Sequence, residues 1–149
     1  MQDFHWNVRV RSINRTLAKV YVRKHTYEIG APLQFDSEYE HVTALEYALG
    51  AIGGDVVNCL QMVGRRRRVE IDDIEAVVSG QVHNPLTYLG VVGEEGSSAL
   101  QRVSVRVYLS SPTEPSKIQA VWEEMQQKSP LVQTLRTCVD LELSLQIVL

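Results

Sequence analysis

The side chains of this chain with the strongest potential for chemistry fall in two short stretches, Asp55 with Cys59 and Ser129 with Cys138. Asp55 and Cys59 stand four residues apart, one turn along the same flank of an expected helix. A carboxylate there could hold a cation or a hydrogen-bonding small ligand, or act as a general base if burial raises its affinity for protons. It fits equally well as a partly exposed helix aspartate paired with an arginine. Cys59 and Cys138 could form a redox couple, but cysteine is readily buried, and Cys59 lies nearer the apolar stripe of its helix than Asp55 does. Ser129 directly precedes Pro130, the arrangement of an N-cap, which contributes on the order of 1 kcal/mol; an aspartate there would be expected to cap as well. A serine nucleophile needs a histidine base backed by an acid, and no spacing assigns His5, His25, His41 or His83 to that task.

The elements that must position these groups are legible from periodicity. Phe4, Trp6, Val8 and Val10 alternate with polar residues, which predicts a strand with one buried face; a turn at Asn14-Arg15 leads to a strand over Leu17–His25 and a third around Tyr27–Ile29. From Thr43 to Val63 the period becomes helical, with Leu45, Leu49, Ile52, Val56, Leu60 and Val63 forming the stripe, and Thr43 with Glu46 makes a capping box. Gly50, Gly53 and Gly54 each cost roughly 1 kcal/mol in a helix relative to alanine, which predicts close packing against another backbone. Val69–Val82 reads as a long strand, residues 84–98 as a loop, and Val103, Val105, Val107 and Leu109 as a further strand. Thr113 is expected to cap a helix with Ile118, Val121, Trp122 and Met125 on its apolar face; Ser129-Pro130 starts a shorter helix, and Leu141, Leu143, Leu145 and Ile147 mark a final strand. The order β-β-β-α-β-β-α-α-β is that of an α+β domain, and 149 residues are enough for one such domain, residues 1–149, with its own core.

Composition removes several classes of function. A net charge of −3 gives no general attraction to nucleic acid. Arg65-Arg66-Arg67-Arg68 sits where cations suit a helix C-terminus and has no interleaved aromatic residues, so a structural or dimer-contact role is favoured over nucleic-acid binding. The start, Met1 to Trp6, lacks the pattern of a signal peptide, and no stretch reaches membrane-spanning length, so no membrane association and a cytoplasmic location are expected. Two cysteines provide neither a disulfide framework nor a zinc motif; no metal and no cofactor is expected.

Ala44-Leu45-Glu46-Tyr47-Ala48-Leu49-Gly50-Ala51-Ile52-Gly53-Gly54-Asp55 resembles the Pro-Leu-Glu-x-Leu-Leu-x-Ala-Leu-x-x-Cys helix of the OsmC-like family, relatives of the organic hydroperoxide resistance proteins of oxidative-stress defence. Ser129-Pro130-Leu131 is similar to that family's Cys-Pro-(Leu/Val) motif, and Arg23-Lys24-His25-Thr26-Tyr27 to its Arg-x-His-x-Phe segment. The helix from Ser116 into Pro130 matches as well. Ala44 stands for the usual proline, Phe35–His41 lacks the usual glycines, and Asp55 and Ser129 occupy the positions of the two reactive cysteines, a degenerate active site.

The resemblance implies antiparallel sheets packed around a central helix and an intertwined homodimer with a pocket at the subunit interface. It implies that Asp55, Ser129, Glu46 and Arg23 border that pocket, with Glu46 ion-paired to an arginine; Glu46 as a plain capping residue and Arg23 as a solvated strand arginine are the alternatives. Aspartate has no sulfenate state and is a poor nucleophile toward a peroxide, so thiol peroxidase activity at the usual site is excluded. The expected function is that of a small-molecule-binding or otherwise non-peroxidase homodimer. The alternatives are a thiol-dependent organic hydroperoxide reductase using Cys59 and Cys138, and a structural or regulatory interaction protein.

Overall fold

The computed structural model describes residues 4–148; Met1, Gln2 and Asp3, part of the start judged above for a signal peptide, lie outside the described residues. The chain gathers into two compact units, one ending at Ala48 and one beginning at Leu49.

In the first unit, β1 (Arg9–Asn14), β2 (Leu17–Val22) and β3 (His25–Ile29) form an antiparallel meander in that order. The first strand differs from expectation. It starts at Arg9, residues 4–8 belong to no strand, and all of β1 is exposed. Phe4 and Trp6 are 73% and 86% exposed, so the alternation marks an apolar face that nothing among the described residues covers. The second strand stops at Val22, because Arg23 takes φ 54 in the turn that pairs Val22 with His25. Gly30 is required where it stands: a Cβ there would lie 2.5 Å from the Tyr39 hydroxyl, which accepts a hydrogen bond from the Ala31 amide.

Helix α1 (Ala44–Arg66) opens with the expected capping box. The Glu46 amide donates to Thr43 Oγ1 at 3.1 Å, while Glu46 Oε1 accepts from the Thr43 amide and hydroxyl at 3.0 and 2.9 Å. The helix runs to Arg66, past the expected Val63, and its closing turn keeps Val69 out of β4, which begins at Asp73.

The second unit contains β4 (Asp73–Val82), α2 (Pro85–Tyr88), β5 (Leu100–Ser110), α3 (Pro115–Lys128), α4 (Pro130–Leu135) and β6 (Asp140–Val148). The sheet order is β4-β5-β6; β4 is antiparallel to β5, but β6 runs parallel to it. A parallel neighbour needs a crossover, here supplied by α3 and α4, and alternation within a strand carries no information about its direction. The core joins Val103, Val105, Val107 and Leu109 to Ile118, Val121, Trp122 and Met125 of α3 and to Ile52, Val56, Leu60 and Val63 of α1.

Three local expectations are corrected. Helix α3 starts one residue after Glu114, with Pro115 at its first position; Thr113 does not cap it, and its amide instead donates to Ser111 Oγ at 3.1 Å. The short helix α2 interrupts the expected loop, started by Asn84, whose side chain accepts from the Leu86 amide. Of Gly50, Gly53 and Gly54 only Gly53 is closely packed, with a Cβ there 2.9 Å from the Val78 side chain rather than a backbone. At Gly50 and Gly54 a Cβ would meet nothing within 4 Å.

Candidate functional site

Ser129 is at once the last cap of α3 and the N-cap of α4. Its amide donates to the Met125 carbonyl at 2.8 Å, its carbonyl accepts from the Gln133 amide at 3.0 Å, and its Oγ accepts from the Val132 amide at 3.2 Å. The side chain is fully buried. The remaining polar demand of this hydroxyl is met from α1: Ser129 Oγ donates to Asp55 Oδ2 at 2.5 Å, and the Leu131 amide donates to the same oxygen at 3.0 Å.

Every free donor in the first turn of α4 is thus satisfied, since Pro130 has none and Leu131, Val132 and Gln133 find Asp55 or Ser129. Asp55 is paired with a hydroxyl and an amide, not with an arginine. Asp55 Oδ1 has no partner among the described residues, and because no buried side-chain oxygen lacks a hydrogen bond there, this atom reaches the surface. The direct bond leaves no room for a ligand between the two side chains; a ligand would meet Asp55 at Oδ1. An aspartate in place of Ser129 would face the Asp55 carboxylate at this distance, so it would not keep most of the cap's stabilisation as its capping chemistry alone suggests.

Cys59, one turn beyond Asp55, is 7% exposed and directs its sulfur to the Met125 carbonyl at 3.8 Å. Burial pushes its thiol up, helped by the negative charges of Asp55 and Glu124 and opposed by Arg66 and Lys128. A protonated thiol is a poor nucleophile. Cys138 is exposed, its sulfur near the carbonyls of Leu135 and Thr134 at 3.7 and 3.9 Å. The two thiols are free and engage different carbonyls.

Glu46 is held by Thr43, whose backbone amide first and hydroxyl second keep its carboxyl below the ordinary value of 4.5. Arg23 lies exposed in the β2–β3 turn, and among the described residues of the chain it makes no ion pair with Glu46. Glu46 instead borders a polar cavity of about 160 Å³ with Gln34, Asp36, Tyr39 and His41. Tyr39 carries no sequence signal for this site, and its edge-to-face contact with the His41 ring at 5.7 Å leaves no trace in periodicity.

Residues 36–144 match the family model for OsmC-like proteins. The chain belongs to the OsmC-like family. No curated protein sequence matches it. Among solved structures it is similar to an OsmC-like protein from Mycoplasma pneumoniae, at 12% identity and TM-score 0.79, over 99% of this chain and 98% of that one. It is also similar to an organic hydroperoxide resistance protein from Elizabethkingia anophelis, at 9% identity and TM-score 0.72, over 99% of this chain and 100% of that one. A Bacillus subtilis organic hydroperoxide resistance protein aligns at 16% identity and TM-score 0.62, over 96% and 98% of the two chains. At these identities the likeness speaks for the OsmC-like α+β fold alone. Among the described residues no helix is long and apolar enough to cross a membrane.

Proposed function

We propose that residues 1–149 form one OsmC-like domain that works as a cytoplasmic homodimer, binds a small molecule through Asp55, and performs no cysteine peroxidase chemistry. The observation that carries this reading is the shared oxygen of Asp55. Ser129 and Leu131 fix Oδ2, and the rigidly held Oδ1 is left to accept a hydrogen bond or a cation from a ligand. Two of the solved relatives are named organic hydroperoxide resistance proteins, and the competing reading is a hydroperoxide reductase working through Cys59 and Cys138. The buried, proton-retaining Cys59 speaks against it.

Two exposed faces support the homodimer. Phe4, Trp6, Val8 and Val10 present an apolar row of the kind that marks a protein interface, and Gly50, Ala51 and Gly54 leave a bare helix face that a second backbone could approach. Sedimentation in dilute solution should give roughly twice the 16.8 kDa chain mass. A monomer at micromolar concentration would remove this part of the proposal.

The ligand reading is tested by a thermal-shift screen of small cationic and hydrogen-bond-donating molecules on wild type and Asp55→Asn. The amide oxygen of asparagine can still accept from Ser129 and Leu131, so the fold is preserved while the charge is lost. Compounds that stabilise wild type should lose their effect in the variant; equal stabilisation of both would overturn the assignment.

A further inference from the structure

The arginine run at the end of α1 plays no part in the reading above, although it concentrates positive charge in a chain of net charge −3. Arg68 takes φ 57, its amide donates to the Arg65 carbonyl at 3.2 Å, and the Val69 amide donates to the Gly64 carbonyl at 2.9 Å. These paired bonds are a Schellman closure, which fixes the backbone course from Arg67 to Val69. Arg67 and Val69 line a cavity of about 330 Å³ together with Ser116, Lys117 and Ala120 of α3. Glu124 meets a single nitrogen of the Arg67 guanidinium, at 3.3 Å, which orients the group while leaving its other N–H donors without a partner among the described residues. Lys117 has no ion pair among them either.

We infer that this cavity binds a small organic oxyanion, a compound carrying a phosphate or carboxylate group. The guanidinium fork of Arg67 and the ammonium of Lys117 match the charge and the paired oxygens of such a group, and the Ser116 hydroxyl adds a third donor. Val69 and Ala120 give the same cavity an apolar wall for a short carbon chain. Its volume lies at the lower end of small-molecule sites, roughly 300 Å³ upward, which suits a small head group on a short chain. The walls hold no aromatic side chain on which a nucleobase could stack.

The test is an amide NMR titration of the full chain with monobutyl phosphate and, separately, inorganic phosphate. Monobutyl phosphate should shift the amides of Arg67, Ser116 and Lys117 saturably and bind more tightly than inorganic phosphate. Lys117→Gln, an exposed replacement outside the core, should weaken binding about tenfold, as should raised salt. Absence of saturable shifts, or unchanged affinity in Lys117→Gln, would overturn the site. Equal affinity for the two phosphates would overturn the organic ligand, and tighter binding of a short oligonucleotide to the same amides would replace it with nucleic acid.

Discussion

The starts of α1 and α4 solve the same problem with the same groups. At each, a hydroxyl caps the helix and one carboxylate oxygen takes two donors: Glu46 Oε1 from the amide and hydroxyl of Thr43, Asp55 Oδ2 from the Ser129 hydroxyl and the Leu131 amide. They differ in reach. Glu46 is exposed and three residues from its partner, whereas Ser129 is fully buried and 74 residues from Asp55. The local box forms as soon as its helix does. The distant pair forms only when α1, α3 and α4 have packed, and loss of Asp55 takes the acceptor from the buried Ser129 hydroxyl and the Leu131 amide. Chemistry that looks alike is therefore worth more, and means more, where it joins distant parts of the chain.

The sharpest way to break this comparison is Asp55→Ala, which leaves the Ser129 hydroxyl and the Leu131 amide unpaired. Denaturant unfolding should show a loss of about 2–4 kcal/mol. A loss no greater than that of a surface substitution would make the two caps equivalent. Ser129→Ala should cost about 1–2 kcal/mol, and Ser129→Asp more than that, because a second carboxylate would oppose Asp55. A double-mutant cycle between the two sites should show a coupling of about 1 kcal/mol or more; additivity would mean that the hydrogen bond carries no energy. At the local box, Thr43→Ala should cost about 1 kcal/mol. The smallest effect is on pH dependence. Because the folded state holds the Glu46 carboxyl below its ordinary value of 4.5, its stabilisation is complete above that value and is lost as pH falls through the lower folded one. Glu46→Gln should flatten this part of the acid limb, and an unchanged limb would contradict the assignment.

What the sequence discloses follows the same divide. Thr43 and Glu46 were legible because both partners lie in one helical turn, and Ile118, Val121, Trp122 and Met125 because a single helix face repeats them. The direct bond from Ser129 to Asp55 was not, since each residue alone has an adequate local explanation, and only the family resemblance hinted that they belong together. The parallel pairing of β6 was hidden because alternation is blind to strand direction. The early strand at Phe4 to Val8 was misread because alternation shows an apolar face without showing what covers it.

The claim that this family member has left thiol chemistry behind is tested most directly by steady-state reduction of an organic hydroperoxide with a dithiol reductant. Wild type is compared with the Cys59→Ser, Cys138→Ser double variant under identical conditions. With Asp55 and Ser129 in hydrogen-bonded contact and Cys59 buried as a protonated thiol, the two proteins should turn over at the same background rate. A wild-type rate clearly above that of the double variant would contradict the account and make the thiol-dependent reductase the better description of this chain.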